Sequence, residues 1–271
     1  MNDLFDDPAY KFKFDINYDS ISQMVDSNKS IVFQSISLKN WAVIKTFNQQ
    51  QVSNETTIYD NGISKQWVYK HDEELLIIEV FASTTDHKLA MEWLLSEATA
   101  TTMRTIPFSL CPYRLGDLNV SILRDNFCRI LWTYYNVFYS VKYTGNNLDI
   151  KMLCQEIQND SNKLFVTDIE KYRPRFKEVI ISSDHIKKGD TVSIKIIPSY
   201  GEAFIGQKKN SHVNISLEKI WSAEKLDLID YTDFSFKFKG IAEGSETITF
   251  ILADLDALTC AKHEVTITVS E

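Results

Sequence analysis

The residue types in this 271-residue chain that could do chemistry stand in a few short groups. His71 is followed by Asp72, Glu73 and Glu74, and His87 follows Asp86. Imidazole beside carboxylate is what general acid–base catalysis and metal ligation draw on. Both clusters also read as charged turns ahead of a buried element, with Asp86 favoured by the positive end of a helix. Asp254, Asp256 and Glu264 offer oxygens to a calcium ion, but far fewer than the roughly six to eight that calcium takes. Gly201-Glu202-Ala203-Phe204-Ile205-Gly206-Gln207-Lys208 has the glycine spacing of a phosphate-binding loop. Gln207, however, stands where the phosphate lysine belongs and Lys208 where the magnesium-binding hydroxyl belongs, so a glycine turn between strands accounts for it.

The remaining group is aromatic. Tyr113 and Arg114, in Cys111-Pro112-Tyr113-Arg114-Leu115-Gly116-Asp117, and the pair Tyr134-Tyr135 stand where loops expose amphipathic side chains. Tyr and Arg are enriched at binding hot spots, which makes these four the candidate contact residues for a ligand or partner. The competing role is to cover a sheet edge or domain junction. No Gly-x-Ser-x-Gly, His-Glu-x-x-His or paired-carboxylate motif stands in a recognisable context. The chain is therefore expected to be a non-catalytic binding protein, with a hydrolase centred on His71 and His87 as the alternative.

Composition narrows the partner class. A net charge of -8 disfavours nonspecific attraction to nucleic acid or anionic membrane, since both need a positive field. A protein partner is expected. Cys111, Cys128, Cys154 and Cys260 show no Cys-x-x-Cys spacing and no adjacent His, so the usual zinc and redox motifs are missing and reduced thiols, without metal or cofactor, are expected. No apolar run reaches the roughly 18–20 residues needed to span a bilayer. Met1-Asn2-Asp3-Leu4-Phe5-Asp6-Asp7 is acidic and unlike a secretory leader. These features predict a cytoplasmic protein, or an envelope or secreted one if a signal was removed. The Asn-x-Ser/Thr triplets at Asn28, Asn54, Asn119 and Asn214 arise readily by chance in so polar a chain.

The elements that would position these groups follow from periodicity. At 271 residues two domains are expected. Phe12, Phe14 and Ile16 alternate as in an edge strand, and Ile31–Ile36 and Trp41–Phe47 are β-rich runs. Asn61-Gly62 has the chemistry of a two-residue hairpin turn. The run Leu75–Phe81 reads as a central strand. Ser83 with Asp86 resembles a capping box for a helix carrying Leu89, Ala90, Trp93, Leu94 and Ala98. A second passage from Leu115 to Asp160 gives a hairpin, with Val137, Tyr139, Val141 and Tyr143 on one strand face. There follows a turn at Thr144–Asn147 that also supplies an N-cap, and a helix with an Ile150, Leu153, Cys154, Ile157 stripe. Hairpin, strand and helix thus occur twice, which predicts two pseudo-equivalent halves and both principal helices on one face of a mainly antiparallel sheet.

Pro174 among Lys171, Arg173 and Arg175 marks a linker over 171–177, between an α+β domain of 1–170 and a second domain of 178–271. There the period becomes two: Val192/Ile194/Ile196, Val213/Ile215/Leu217, Phe234/Phe236/Phe238, Ile248/Phe250/Leu252 and Val265/Ile267/Val269 alternate with polar residues. With Val179–Ile181 and Leu226/Leu228, this predicts about seven short strands in a β-sandwich. Gly189-Asp190-Thr191-Val192 and Ala242-Glu243-Gly244-Ser245-Glu246-Thr247-Ile248 resemble the strand openings of bacterial immunoglobulin-like domains, which implies that fold for the C-terminal third. The antibody-type Cys-Trp-Cys core is missing, since this part holds only Cys260 and Trp221. The Leu115–Asp160 arrangement is similar to one in uncharacterised bacterial α+β proteins, which implies a fold and no activity.

Overall fold

The computed structural model describes residues 29–32, 50–83, 87–99, 108–161, 165–201 and 215–271. The chain divides into two compact units, residues 1–57 with 61–169, and residues 58–60 with 170–271. The strand expected at Phe12–Ile16, the run Trp41–Phe47 and most of Ile31–Ile36 lie outside the described residues.

The first unit contains β1 (Ser30–Ile31), β2 (Gln50–Tyr59, whose last two residues group with the second unit), β3 (Gly62–His71), β4 (Glu74–Ser83), α1 (His87–Thr99), β5 (Ser109–Leu110), β6 (Leu118–Arg124), β7 (Phe127–Tyr134), β8 (Val137–Thr144), α2 (Ile150–Ser161) and β9 (Phe165–Val166). Seven strands form one sheet in the order β2-β3-β4-β8-β7-β6-β5, and β1 pairs with β9 apart from it. The ladders from β3 through to β5 are antiparallel. The apolar run of β4 sits at the centre beside β8, where Leu76, Ile78, Val80, Phe81, Phe138, Tyr139 and Val141 are all at most 1% exposed.

The two helices lie on opposite faces, contrary to the expectation of a shared one. Trp93 of α1 stacks on Phe81 with ring centroids 4.1 Å apart and approaches Phe138 at 6.4 Å. Ser161, the last residue of α2, hydrogen-bonds Tyr139 at 2.6 Å. Phe138 and Tyr139 are consecutive in one strand and so point to opposite faces. A twofold axis that exchanges adjacent antiparallel strands stands normal to the sheet and leaves a helix on its own face. Opposite faces therefore exclude that symmetry between the two halves.

Two local expectations shift by a few residues. The β2–β3 loop is Asp60-Asn61, and Gly62 opens β3 opposite Ser83. Glycine is needed there for space, because a Cβ would lie 2.5 Å from the Phe81 ring and 2.6 Å from the Ala82 carbonyl oxygen. The cap of α2 is Asp149, whose Oδ1 accepts from the N–H of Met152 at 2.9 Å. The stripe Ile150, Leu153, Cys154 and Ile157 is buried as its spacing requires. For α1, Ser83 ends β4, while the rest of the proposed capping box lies outside the described residues.

The second unit contains β10 (Arg175–Ile181), β11 (His185–Lys187), β12 (Thr191–Ser199), β13 (Ile215–Ile220), β14 (Leu226–Thr232), β15 (Ser235–Gly240), β16 (Gly244–Asp254) and β17 (Thr259–Ser270). β10 begins inside the stretch expected as linker, after a single 3-10 turn at Ile169–Tyr172. Two four-stranded sheets form, β10-β12-β15-β14 and β11-β17-β16-β13. Val192, Ile194, Phe236 and Phe238 from the first join Ile248, Phe250, Val265 and Ile267 from the second in one buried cluster. Each such side chain contributes roughly 1.5–3 kcal/mol through burial.

Candidate functional site

Tyr134 and Tyr135 lie at the β7–β8 turn, in a nest of intramolecular contacts. Their rings meet edge-on at 5.0 Å, and Phe165 packs against both, at 5.5 and 4.7 Å. Tyr135 has a φ of +51°, a left-handed conformation unusual for a bulky residue. Two contacts hold it. Its N–H donates to Asp117 Oδ2 at 2.8 Å, and Asp117 is fixed by donating its own N–H to the Thr133 carbonyl at 2.7 Å. Gly116 permits that approach, since a Cβ there would sit 1.9 Å from the Thr133 oxygen. Burial raises the Asp117 pKa, and the Tyr135 N–H pulls it partly back.

His87 joins the same nest, its ring 5.5 Å from Tyr135 and its Nε2 3.0 Å from the Lys29 carbonyl. A carbonyl can only accept, so Nε2 carries the proton. His71 stands elsewhere, opposite Glu74 at the far end of the β3–β4 ladder whose other end is Gly62 opposite Ser83. Nine residues of strand separate those ends, about 30 Å, so the two imidazoles share no site. His71 lies 3.8 Å from Asp72. Glu74 Oε1 accepts from the N–H groups of Asn146 and Asn147 at 2.9 and 3.2 Å, which commits it to the turn before α2.

Tyr113 and Arg114 are not part of the Tyr134–Tyr135 group. Lys151 Nζ lies 5.9 Å from the Tyr113 ring, and burial raises the Tyr113 pKa, with further pushes from Cys111, Cys128, Cys154 and Asp149. Cys128 is six residues from Tyr134 along β7, about 20 Å. Arg114 is exposed. The three cysteines near Tyr113 are all unpaired, with Cys128 and Cys154 buried. Asp254 is used locally, Oδ1 accepting from Asp256 and Ala257 N–H at 2.9 and 3.0 Å. Glu264 lies five residues beyond Asp254's cross-strand partner Thr259 and pairs with Lys262 at 2.8 Å. Among the described residues no cluster of three or more His, Cys, Asp or Glu could hold a metal ion. The glycine spacing from Gly201 to Lys208 cannot be compared with a phosphate loop, because residues 202–208 lie outside the described residues.

Sequence reasoning passed over a polar network beneath α1. Ser64 Oγ donates to Glu79 Oε1 at 3.2 Å, and Arg129 pairs with Glu97 while lying 5.8 Å from the Phe108 ring. Burial raises the Glu79 pKa, reinforced by Glu97 and opposed by Ser64 and Arg129. The available signal was Glu79 itself, the lone charge inside the apolar run Leu75–Phe81, where a carboxylate drawn out of water needs partners.

Two open concavities lined by described residues lie on the second unit. One of about 370 Å³ is lined by Ile180, Lys195, Asp230, Tyr231, Phe236 and Lys237 among others. A second, of about 220 Å³, is lined by Leu217, Lys219, Asp233 and Phe234, and shares Tyr231, Thr232 and Phe236 with the first. Lys219 Nζ stands 4.8 Å from the Tyr231 ring and 5.2 Å from that of Phe236, a cation–π bracket between strands of the two sheets. Tyr231 is 65% exposed and Ile180 44%. No known family and no curated protein matches the chain.

Proposed function

We propose that this is a two-domain, non-catalytic binding protein whose second unit is an immunoglobulin-like sandwich that docks a protein partner on its β10-β12-β15-β14 side. The observation that carries the docking surface is the pair of neighbouring concavities that share Tyr231, where its exposed ring, Ile180 and flanking lysines offer contact area. Apolar surface rimmed by polar groups is characteristic of partner binding. The immunoglobulin likeness rests on strand order. With β10, β12, β13, β14, β15, β16 and β17 read as A to G, the sheets run A-B-E-D and G-F-C, the constant-type order. β11 adds a strand parallel to β17.

Tyr113, Arg114, Tyr134 and Tyr135 remain proposed as a contact surface on the first unit, acting as two separate patches. The domain division is proposed at 1–170 and 178–271 with 171–177 between, and trypsin should then cut first after Lys171. A hydrolase at His71 and His87 has less support, since the two stand at opposite ends of a ladder.

The test places a photo-crosslinking residue at position 231 of the full chain in its native source. A defined partner adduct, reduced by Ile180→Glu or Lys237→Glu, is the expected result. Hydrolysis of ester, phosphate or peptide substrates that disappears in His71→Ala or His87→Ala would overturn the proposal.

A further inference from the structure

We infer that β2 is a self-association edge, through which two copies of this chain pair their β2 strands antiparallel about a twofold axis. Among the described residues, β2 is the end strand of the seven-stranded sheet. It runs ten residues without Pro or Gly, and Glu55 is its single charge. From Gln50 to Thr57 every side chain except half-buried Ser53 is exposed, on both faces, with Val52 at 55%.

Proteins ordinarily blunt strand edges by shortness, charge or a bulge. Each other end strand among the described residues shows such a device. β5 has two residues and β11 three. β10 and β14 carry register shifts, at 176/178 and 228/230, with charges Arg175, Lys177, Glu178, Asp227 and Asp230. β13 carries Glu218 and Lys219. β2 has neither the shortness nor that density of charge.

A second copy is the occupant that the charges favour. The whole chain carries -8, so most surfaces of two copies repel, whereas this edge contributes one charge per strand. Antiparallel pairing centred on Asn54 sets Val52 opposite Thr56, Glu55 opposite Ser53 and Gln51 opposite Thr57. No like charges then face each other, and a β-branched pair forms. Centring on Glu55 would oppose two carboxylates. Twofold pairing of one patch with itself is also the commonest oligomer geometry.

Sedimentation equilibrium of the full chain tests this, with circular dichroism as a fold control; the altered side chains are exposed. The wild type should show a monomer–dimer equilibrium. Asn54→Lys, which sets a lysine against its own copy, should weaken it at least about tenfold. The double variant Val52→Lys with Thr56→Glu, which places opposite charges across the proposed register, should keep the dimer. A chain still monomeric at about 1 mM, equal association of wild type and Asn54→Lys, or loss of the dimer in the double variant would each overturn the inference.

Discussion

Asn136 grips Ile31 by both backbone polar groups, accepting from its N–H at 2.6 Å and donating to its carbonyl at 3.2 Å. The same amide nitrogen donates to the Ser83 carbonyl at 3.1 Å, while the backbone carbonyl of Asn136 accepts from the Ser83 N–H at 2.8 Å. One buried side chain thus ties β1 to the end of β4, beside the turn that carries Tyr135. Asn136→Ala leaves the Ile31 N–H and carbonyl short of partners in a buried place. A loss of about 2–4 kcal/mol is expected from urea denaturation, and a loss below about 0.5 kcal/mol would show that the clasp is dispensable.

Glu246 should make the second unit acid-sensitive. It is 5% exposed, and burial alone would raise its pKa. Ser222 Oγ and the N–H groups of Lys225 and Leu226, each at 2.7 Å, together with the Ala223 N–H, outweigh that and lower it. A depressed folded pKa gives stability that is present above the unfolded value and lost as pH falls through the folded one. Glu246→Gln should cost about 1–3 kcal/mol at pH 7 and flatten the acid limb of the stability profile. An unchanged acid limb in the variant would locate the sensitivity elsewhere.

Glu79 works in the opposite sense. Its folded pKa is raised, first by burial and then by Glu97, so its contribution is fully present below the unfolded carboxylate pKa and lost as pH rises through the folded value. Glu79→Gln retains an oxygen for the Ser64 hydroxyl and removes the half-buried charge. The variant should be at least as stable as wild type at pH 7 and less pH-dependent above the usual carboxylate range. A marked loss of stability at pH 7 would mean that Arg129 relies on this carboxylate more than the geometry indicates.

The thiols report on compartment as well as packing. Burial pushes Cys128 up to about 11 and Cys154 well above its ordinary value. Half-buried Cys111 is raised less far. In the native protein a thiol reagent at pH 8 should reach Cys111 ahead of the buried three, and denaturation should release all four from a cytoplasmic source. Fewer than four without reductant would point to export.

What the sequence determined by itself was everything carried by local periodicity and short-range chemistry. The alternation at Val192/Ile194/Ile196 and Phe236/Phe238 sorts each strand into a buried and an exposed side without reference to its neighbour. The stripe Ile150/Leu153/Cys154/Ile157 requires a covered helix face in the same way. The mainly antiparallel first sheet and its two helices followed from such signals.

Tertiary structure decided what depends on which surfaces meet. Val137–Val141 is apolar on both faces, so a stripe on α2 shows that it covers a sheet without saying which side. Only the contacts of Phe138 with α1 and Tyr139 with α2 choose between them. The candidate residues divided for the same reason. Tyr134 and Tyr135 are neighbours in sequence and stayed together, whereas His71 and His87, sixteen positions apart in the chain, were carried to opposite ends by the straight β3–β4 ladder. Lys219 reached Tyr231 and Phe236 because the end strands of two sheets come side by side, a proximity that no spacing along a single chain encodes.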